Sequence, residues 1–238
     1  MVNWQTTISS ILDLVSAPNC GLCDRPTSTP ICPDCHTQLH SCHVKDDRTF
    51  WIPPLPLLSW GRYTGALRQG ITTLKYNNQP QLARVFGQWL GQMWLASPMA
   101  KTSSGRSLIV VPVPANAAKK KRRGYDQSEL LAQAFCQYTR LPLDLRCVVR
   151  IEDTIPMHGL SVTERQQNVL GKFRLHPQFN GKTSSRPFWH KPHTNQKILL
   201  LDDIYTTGST LGAIAHLLRQ HRLSVYGAVT LAKTNRAL

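Results

Sequence analysis

The sequence predicts an α/β domain built on a mainly parallel β-sheet. Two runs of aliphatic residues, "SLIVVPVP" at 107–114 and "ILLL" at 198–201, show no alternation with polar residues. Such runs are typical of strands that helices cover on both faces. Between the predicted strands lie segments whose apolar residues recur every three to four positions, as in amphipathic helices. Strands that alternate with helices in this way favour a parallel sheet.

The order of these elements can be followed from residue 57 onwards. The segment "LLSWGRYTG" predicts the first strand, and two helical patterns follow it. A capping box, Ser161 with Glu164 three residues later, predicts the start of a short helix. We predict strands at 57–65, 107–114, 145–151, 198–201 and 223–232, and helices at about 65–75, 80–96, 127–138, 161–171 and 209–220.

We expect two parts, an N-terminal module at 1–45 and a larger domain at 46–238. The module opens with a helical pattern and continues with a segment rich in Pro and Cys that has no hydrophobic periodicity. Within the larger domain, residues 175–196 are rich in Pro, Ser, Lys, Asn and His. We predict a flexible loop there.

The chain is strongly basic. It has 28 Lys and Arg against 13 Asp and Glu, a formal net charge of +15 over 238 residues. That excess attracts polyanions such as nucleic acids, phosphorylated ligands or anionic lipids, without distinguishing among them. No run approaches the roughly 18 apolar residues of a membrane span, and the first residues lack the features of a signal peptide. We therefore expect a cytoplasmic protein with no membrane span.

Four of the seven cysteines form two closely spaced pairs. Two C-x-x-C turns, separated by eight residues, can present four thiolates to one ion, which is the closed shell of structural Zn²⁺. A redox C-x-x-C is the lesser alternative, because such a motif normally follows a strand and opens a helix. The predicted ligands are Cys20, Cys23, Cys32 and Cys35. We expect His36, His40, Cys42 and His43 to be neighbours of this complete set, and Cys136 and Cys147 to be core residues.

Two adjacent acids, Asp202 and Asp203, follow the predicted strand at 198–201. They lie where ligands bind in open parallel sheets, outside the carboxyl ends of the strands. The stretch "TTGST" at 206–210 comes next and leads into the helix at 209–220. Its hydroxyls, backbone N–H groups and helix N-terminus suit a phosphate, and its glycine allows close backbone approach. Carboxylates beside a phosphate cradle predict a sugar phosphate, whose vicinal hydroxyls donate to the acids.

Residues 198–210 have two other interpretations besides a sugar-phosphate site. A Walker B strand would need a G-x-x-x-x-G-K-[ST] loop, which the sequence lacks, and no G-x-G-x-x-G occurs either. A capped helix after a core strand, with incidental aspartates, is the plain structural alternative.

The segment "ILLLDDIYTTGST" (198–210) resembles the phosphoribosyl pyrophosphate (PRPP) signature of type I phosphoribosyltransferases. The resemblance widens with "LRQGITTLKYNNQPQLA" (67–83), "VVPVPANAAKKKRRGYDQSELLAQAF" (110–135), "ERQQNVLGKF" (164–173) and the four cysteines. Together these segments resemble the ComF family, also called ComFC or GntX-like, over nearly the whole chain. The resemblance implies a type I phosphoribosyltransferase-like sheet behind a zinc module. It also implies a role in natural competence, in DNA uptake and transformation, with competence and recombination proteins as partners.

Carried over residue by residue, the resemblance assigns contacts with PRPP. Asp202 and Asp203 would hold the ribose hydroxyls, directly or with Mg²⁺, and "PVPA" at 112–115, with Val113 and Pro114, would contact the pyrophosphate. The 5′-phosphate would be bound by Thr206, Thr207, Gly208, Ser209 and Thr210. Three positions depart from the family pattern and bear on the acceptor pocket: Asp126, Met157 and Tyr205.

A reaction is harder to predict than a ligand. In catalysis, basic residues would stabilise the leaving pyrophosphate. Of the basic loop at 119–123, Arg123 is the strongest candidate because it precedes the Gly124 turn. No residue stands out as a general base. A phosphoribosyltransferase with an unknown acceptor, an amidophosphoribosyltransferase-like metabolic enzyme and a non-catalytic PRPP-sensing or nucleic-acid-binding protein therefore all stay open.

Residues 172–201 contain no acid and favour contact with single-stranded DNA. Basic groups follow a phosphate backbone, and aromatic rings stack on exposed bases. A soluble loop would have the same composition. The basic residues are Lys172, Arg174, Lys182, Arg186, Lys191 and Lys197, and the aromatic residues are Phe173, Phe179, Phe188 and Trp189.

Overall fold

The computed structural model describes residues 19–44, 55–102, 108–151, 171–177 and 196–234. The predicted N-terminal helix, nearly all of the helix predicted at 161–171 and most of the loop predicted at 175–196 lie outside these residues. Within the described ranges, no helix combines the length and the apolar character needed to cross a membrane.

Strands and helices alternate along the described chain. The helices are α1 (Pro33–His40), α2 (Gly65–Tyr76), α3 (Gln81–Ala96), α4 (Pro98–Thr102), α5 (Ala117–Arg123), α6 (Gln127–Thr139) and α7 (Ser209–Gln220). The strands are β1 (Leu57–Arg62), β2 (Leu108–Pro112), β3 (Val148–Arg150), β4 (Phe173–Leu175), β5 (Lys197–Tyr205) and β6 (Ser224–Lys233).

The main sheet has the strand order β1-β6-β5-β2, and its pairings are parallel. Helices cover both faces. On one face Leu199 of β5 joins a cluster with Phe86 of α3 and Phe135 of α6. On the other face Leu200 joins a cluster with Ile214 of α7. Because both sets of alternate side chains are buried, the strand needs an uninterrupted aliphatic run. The predicted fold class, a mainly parallel sheet flanked by helices, is confirmed.

The cysteine-rich segment packs into the first of these clusters. Cys20 and Leu39 are buried there together with Phe86. At Gly70 of α2, a Cβ atom would lie 2.9 Å from Cζ of Phe86 and 3.4 Å from Cδ2 of Leu39. Helix α2 therefore lies too close to its neighbours for any larger side chain at this position.

Residues 117–123 form a helix, α5, which includes the residues of the basic loop expected at 119–123. The side chain of Asn116 caps its first turn by accepting a hydrogen bond from the backbone N–H of Lys119 at 3.2 Å. Gly124, with φ of +81°, ends it in the left-handed conformation. Ala, Lys and Arg are all good helix formers, so the local signals agree with a helix.

The strand predicted at 145–151 is shorter and lies outside the main sheet. It forms β3, which pairs antiparallel with β4 in a separate two-stranded sheet. Residues 142–144 occupy the edge of β2 that faces away from β5. The N–H of Val110 donates to the carbonyl of Pro142 at 2.8 Å, and the N–H of Asp144 donates to the carbonyl of Val110 at 2.9 Å. The chain thus makes a single bridge to β2 and then leaves the sheet.

Candidate ligand-binding site

The two adjacent aspartates lie at the carboxyl edge of the sheet, in the second half of β5, which is one of its two interior strands. Asp202 pairs with Thr230 of β6, and its predecessor Leu201 lies opposite Pro112, the last residue of β2. The N–H of Val113 donates to the carbonyl of Leu201 at 2.9 Å. The loop after β2, which was predicted to contact pyrophosphate, therefore runs beside the aspartates. Pro114, the other predicted contact of this loop, directly follows Val113.

Asp203 is buried and paired with a lysine. Its side chain is 6% exposed, and its Oδ2 lies 2.8 Å from Nζ of Lys75 in the last turn of α2. A carboxylate in a buried position needs a compensating charge nearby. Lys75 supplies that charge.

Asp202 has different partners. Its Oδ1 accepts hydrogen bonds from Oγ of Ser128 at 3.1 Å and from the backbone N–H of Asp203 at 2.8 Å. Burial and then the neighbouring charge of Asp203 raise the pKa of Asp202 to about 8. The two carboxyl groups are thus distinct at neutral pH: Asp202 holds a proton readily, whereas Asp203 is paired with an ammonium group.

The turn after β5 offers hydroxyls and the backbone N–H groups at the start of α7, of which that of Ser209 donates to Oγ1 of Thr207 at 3.4 Å. Gly208 has φ of +75° and caps α7, whose first residue is Ser209. Oγ1 of Thr207 and Oγ of Ser209 lie 2.8 Å apart, and Thr206 is exposed beside them. Thr210 lies in the first turn of α7. The first N–H groups of a helix have no partners within it and carry a partial positive charge, which suits phosphate oxygens.

Tyr205 closes one side of this turn. A Cβ atom at position 208 would lie 2.8 Å from Cζ of Tyr205. Two features therefore favour glycine at position 208: its backbone has a positive φ, and a larger side chain would meet the ring of Tyr205. Tyr205 is one of the departures from the ComF pattern, and the structure places it against the turn.

Arg123 lies against the end of α2. Its Nη1 donates to Oε1 of Gln127 at 2.5 Å, and its guanidinium carbon lies 4.9 Å from the centre of the Tyr76 ring. Tyr76 directly follows Lys75, the partner of Asp203. The structure thus brings Arg123 close to the helix end that contacts Asp203.

Asp126, a second departure from the family pattern, joins two parts of the site. Its Oδ2 accepts a hydrogen bond from the N–H of Ala115 at 2.7 Å, and its Oδ1 accepts from the N–H groups of Ser128 and Glu129 at 2.9 and 3.3 Å. Burial raises the pKa of Asp126. The side chain fixes the start of α6, and with it the hydroxyl that reaches Asp202. The third departure, Met157, lies outside the described residues.

Sequence reasoning missed Lys75 and Ser128. Lys75 stands in the segment "LRQGITTLKYNNQPQLA", which contributed to the family resemblance without a role for its lysine. Both residues contact the aspartates across large separations in the chain, and no local pattern marks such partners. A lone lysine near a helix C-terminus is also favourable for the helix itself, so it gives no separate signal.

The four predicted cysteine ligands come together. Their Sγ atoms all lie within 4.8 Å of one another, and those of Cys23 and Cys32 are 3.6 Å apart. Nε of Arg25 donates to Sγ of Cys23 at 3.3 Å and lowers the pKa of this thiol to about 6. Thiolates at this spacing suit a tetrahedral metal ion. The cluster of Cys20, Cys23, Cys32 and Cys35 could therefore hold a metal such as zinc.

The nearby histidines pack on tryptophan rings. The ring centres of His36 and His40 lie 5.4 and 4.6 Å from that of Trp89, and His43 lies 4.8 Å from Trp60. Within the described residues they are not part of the cysteine cluster.

No protein-family model matches the chain. Several curated proteins are similar to it in sequence. "DNA utilization protein YhgH" of Escherichia coli (strain K12) is 28% identical over 221 residues, which is 90% of each chain. "Competence protein F" of Haemophilus influenzae is 29% identical over 209 residues, which is 84% of each chain. "Competence protein ComFC" of Bacillus subtilis (strain 168) is 23% identical over 94% of this chain and 82% of its own. The resemblance to the ComF family is confirmed.

Solved structures are also similar to this chain. A hypoxanthine phosphoribosyltransferase from Staphylococcus aureus covers 65% of this chain and 68% of its own, with 18% identity and a TM-score of 0.35. A second crystal form of that protein gives a TM-score of 0.34.

Proposed function

We propose that the chain is a PRPP-binding, phosphoribosyltransferase-like protein that acts in natural transformation, in the uptake and processing of incoming single-stranded DNA. The position of Asp202 and Asp203 supports this most strongly. They lie at the carboxyl edge of the sheet, two residues before the turn at 206–210 that leads to the N-terminus of α7. Carboxylates beside an anion-binding helix end suit one compact ligand with vicinal hydroxyls and a phosphate. A ribose 5-phosphate group has both.

The two aspartates would have separate roles. Asp202 accepts from Ser128 through Oδ1 and keeps acceptor capacity for the ribose hydroxyls. Accepting those hydroxyls favours its ionised form, so ligand binding would release a proton near neutral pH. Asp203 and Lys75 would form the fixed part of the site, with the ammonium group beside the carboxylates.

Turnover would require stabilisation of the leaving group. The bond between C1 of the ribose and pyrophosphate would break, its electron pair would leave with the pyrophosphate, and an acceptor would form the new bond to C1. Arg123 and the loop with Val113 and Pro114 would stabilise the departing charge. The carboxylate oxygens of Asp202 are of the type that Mg²⁺ prefers, so PRPP would bind with its accompanying Mg²⁺.

The names of the relatives support the biological part of the proposal. One is named for DNA utilization and two for competence. The net charge of +15 also fits a protein that meets a polyanion. Competence and recombination proteins are the expected protein partners.

We also propose Zn²⁺ as the ion of the cysteine cluster. Four thiols with mutual Sγ distances within 4.8 Å leave no position for a substrate, which favours a structural rather than a catalytic ion. The ion would supply cross-links between the two C-x-x-C turns.

A second candidate is a protein that binds PRPP and nucleic acid without catalysis. The cationic side chains of α5 favour it, because they attract the phosphates of a nucleic acid. Sensing needs both ligands to bind but no bond to break.

Binding can be tested with ribose 5-phosphate and PRPP by calorimetry. Asp202→Asn removes the acceptor charge without changing the size of the side chain. It should weaken PRPP binding about tenfold or more, because a hydrogen bond to a charged group contributes about 1.5–3 kcal/mol. The control is Asp34→Asn, which changes an exposed acid of the cysteine segment. Equal affinity of the wild type, the variant and the control would refute the ribose role.

Turnover can be tested by release of pyrophosphate from PRPP in the presence of bases, amines, nucleotides and single-stranded DNA. Release that depends on one acceptor would establish the transferase. A blank across acceptors, in a protein that binds PRPP, would favour the non-catalytic candidate.

A further inference from the structure

A cavity of about 480 Å³ lies beside the Lys75–Asp203 pair. Its volume falls in the range of small-ligand sites. Its wall is formed by the end of α2 and by the end of α5 with the turn that follows. The charged and aromatic residues of the wall are Lys75, Tyr76, Lys121, Arg122, Arg123 and Tyr125.

Of the cations in the cavity wall, Lys75 is paired with Asp203, whereas the other three have no acidic partner within the described part of the chain. Elsewhere on α5, Lys120 is paired with Glu129 at 2.8 Å. In contrast, Lys121, Arg122 and Arg123 form no ion pair with any acid in the described part of the chain, and no acid lines the cavity there. Uncompensated cations around a concave surface attract an anion and focus its field.

The cavity also presents an aromatic ring. Tyr76 is 59% exposed, although the guanidinium carbon of Arg123 lies 4.9 Å from its ring centre. Stacking of the arginine orients the ring and leaves much of its surface open. Tyr125 is fixed differently, since its hydroxyl donates to the carbonyl of Leu74. Tyr76 is thus the ring on which a planar ligand can stack.

We propose that this cavity binds a nucleotide unit, with its phosphate at Lys121 and Arg122 and its base on the Tyr76 ring. A phosphate alone would pair with the cations but would not contact the exposed ring. A base alone would stack on the ring but would not contact the cations. A free nucleotide and the terminal nucleotide of a strand present the same phosphate and base. The proposal goes beyond PRPP binding and does not require it.

Lys75 connects the cavity with the aspartates. Its side chain is part of the cavity wall, and its ammonium group pairs with Asp203. A phosphate that attracts Lys75 weakens its hold on Asp203, so the two sites are coupled, and by linkage each ligand changes the affinity for the other by the same factor. This coupling, unlike the cavity itself, rests on the proposed function.

The test titrates the full chain with dTMP and with decathymidylate that carries or lacks a 5′-phosphate. Lys121→Ala combined with Arg122→Ala should weaken binding about tenfold or more and lower the slope of log affinity against log salt by up to about two. The matched control is Arg84→Ala combined with Arg146→Ala. It removes two exposed cations that do not line the cavity.

The base contact is tested separately. Tyr76→Ala should weaken dTMP binding about tenfold, whereas Tyr76→Phe should bind as the wild type does. Inorganic pyrophosphate is the comparison ligand, because it has the charge without the base. Its binding should not respond to Tyr76→Ala.

The outcomes are distinct. Equal affinity for dTMP and for the strands identifies the free nucleotide as the occupant, and a preference for the 5′-phosphorylated strand identifies a strand end. The proposal is overturned if dTMP and the strands fail to bind, if the control pair weakens binding as much as the cavity pair, or if Tyr76→Ala leaves dTMP binding unchanged. Ribose 5-phosphate, titrated in parallel, reports on the proposed function: Asp202→Asn should lose it and retain dTMP.

Discussion

The ammonium nitrogen of Lys75 lies 2.8 Å from Oδ2 of Asp203, and this ion pair joins the C-terminal end of α2 to β5, an interior strand of the sheet. Both side chains are largely buried, at 17% and 6% exposure. Removing one partner of such a pair leaves a charge that water cannot reach, and this is far more costly than removing both.

Lys75→Met should therefore lower the free energy of unfolding by on the order of 3 kcal/mol at pH 7. The double variant Lys75→Met with Asp203→Asn should recover much of that loss. Urea denaturation of the wild type, both single variants and the double variant measures the coupling directly. Losses that simply add would show that the two charges do not stabilise each other.

The pH dependence of stability follows from the raised pKa of Asp202, about 8. In the unfolded chain an aspartate loses its proton near pH 4, so between about pH 4 and pH 8 the folded chain binds the extra proton. The contribution of Asp202 to stability therefore falls as pH rises through this interval and is constant above it. Asp202→Asn should flatten the profile by at most about 1.4 kcal/mol per pH unit. Denaturation at pH 5, 7 and 9 checks this, and a slope unchanged by the substitution would contradict it.

Two glycines close together in the chain should respond in opposite ways to alanine. Gly208→Ala forces a side chain into the left-handed conformation and against Tyr205, so it should cost at least about 1–2 kcal/mol and weaken ribose 5-phosphate binding. Gly212→Ala is the matched control, because position 212 lies within α7 and a Cβ atom there meets nothing within 4 Å. It should stabilise the chain by about 0.5–1 kcal/mol and leave binding unchanged. Thermal denaturation and calorimetry distinguish the two.

The cysteine cluster predicts the metal content of the purified chain. We expect one Zn²⁺ per chain by elemental analysis, and Cys23→Ser should lose it. Cys42→Ser is the control, because Sγ of Cys42 donates to the carbonyl of Thr64 at 3.5 Å and lies outside the cluster. Equal zinc in both variants would exclude the four-cysteine site. A chelator should lower the unfolding temperature of the wild type and have little effect on Cys23→Ser.

Much of the architecture was predictable because its signals are local. The aliphatic run of β5 and the glycine before α7 mark their elements directly, and the predicted bounds of α7, 209–220, are those observed. The aspartates could be placed at the sheet edge for the same reason. Their partners could not, since Lys75 and Ser128 reach them only through the packing of α2 and α6. Helix α5 carried a local capping signal at Asn116, but its dense charge favoured a loop interpretation.

The position of β3 outside the main sheet could not be predicted from the sequence, for a different reason. Its residues have the composition of a strand, yet whether a strand joins the main sheet depends on which edge is free. Pro142 and Asp144 take that edge at β2 through two backbone hydrogen bonds. Competition for an edge is a property of the assembled fold and leaves no mark in the composition of 145–151.

Helix α2 packs against the cysteine-rich segment and also contacts one of the two aspartates. At Gly70 it rests on Leu39, which is buried in the same cluster as the cysteines, and at Lys75, about 7.5 Å further along its axis, it holds Asp203. An ion that tightens the cysteine turns would also hold this helix in place. A cell's supply of a trace metal would then help to decide how firmly the proposed sugar-phosphate site is held together.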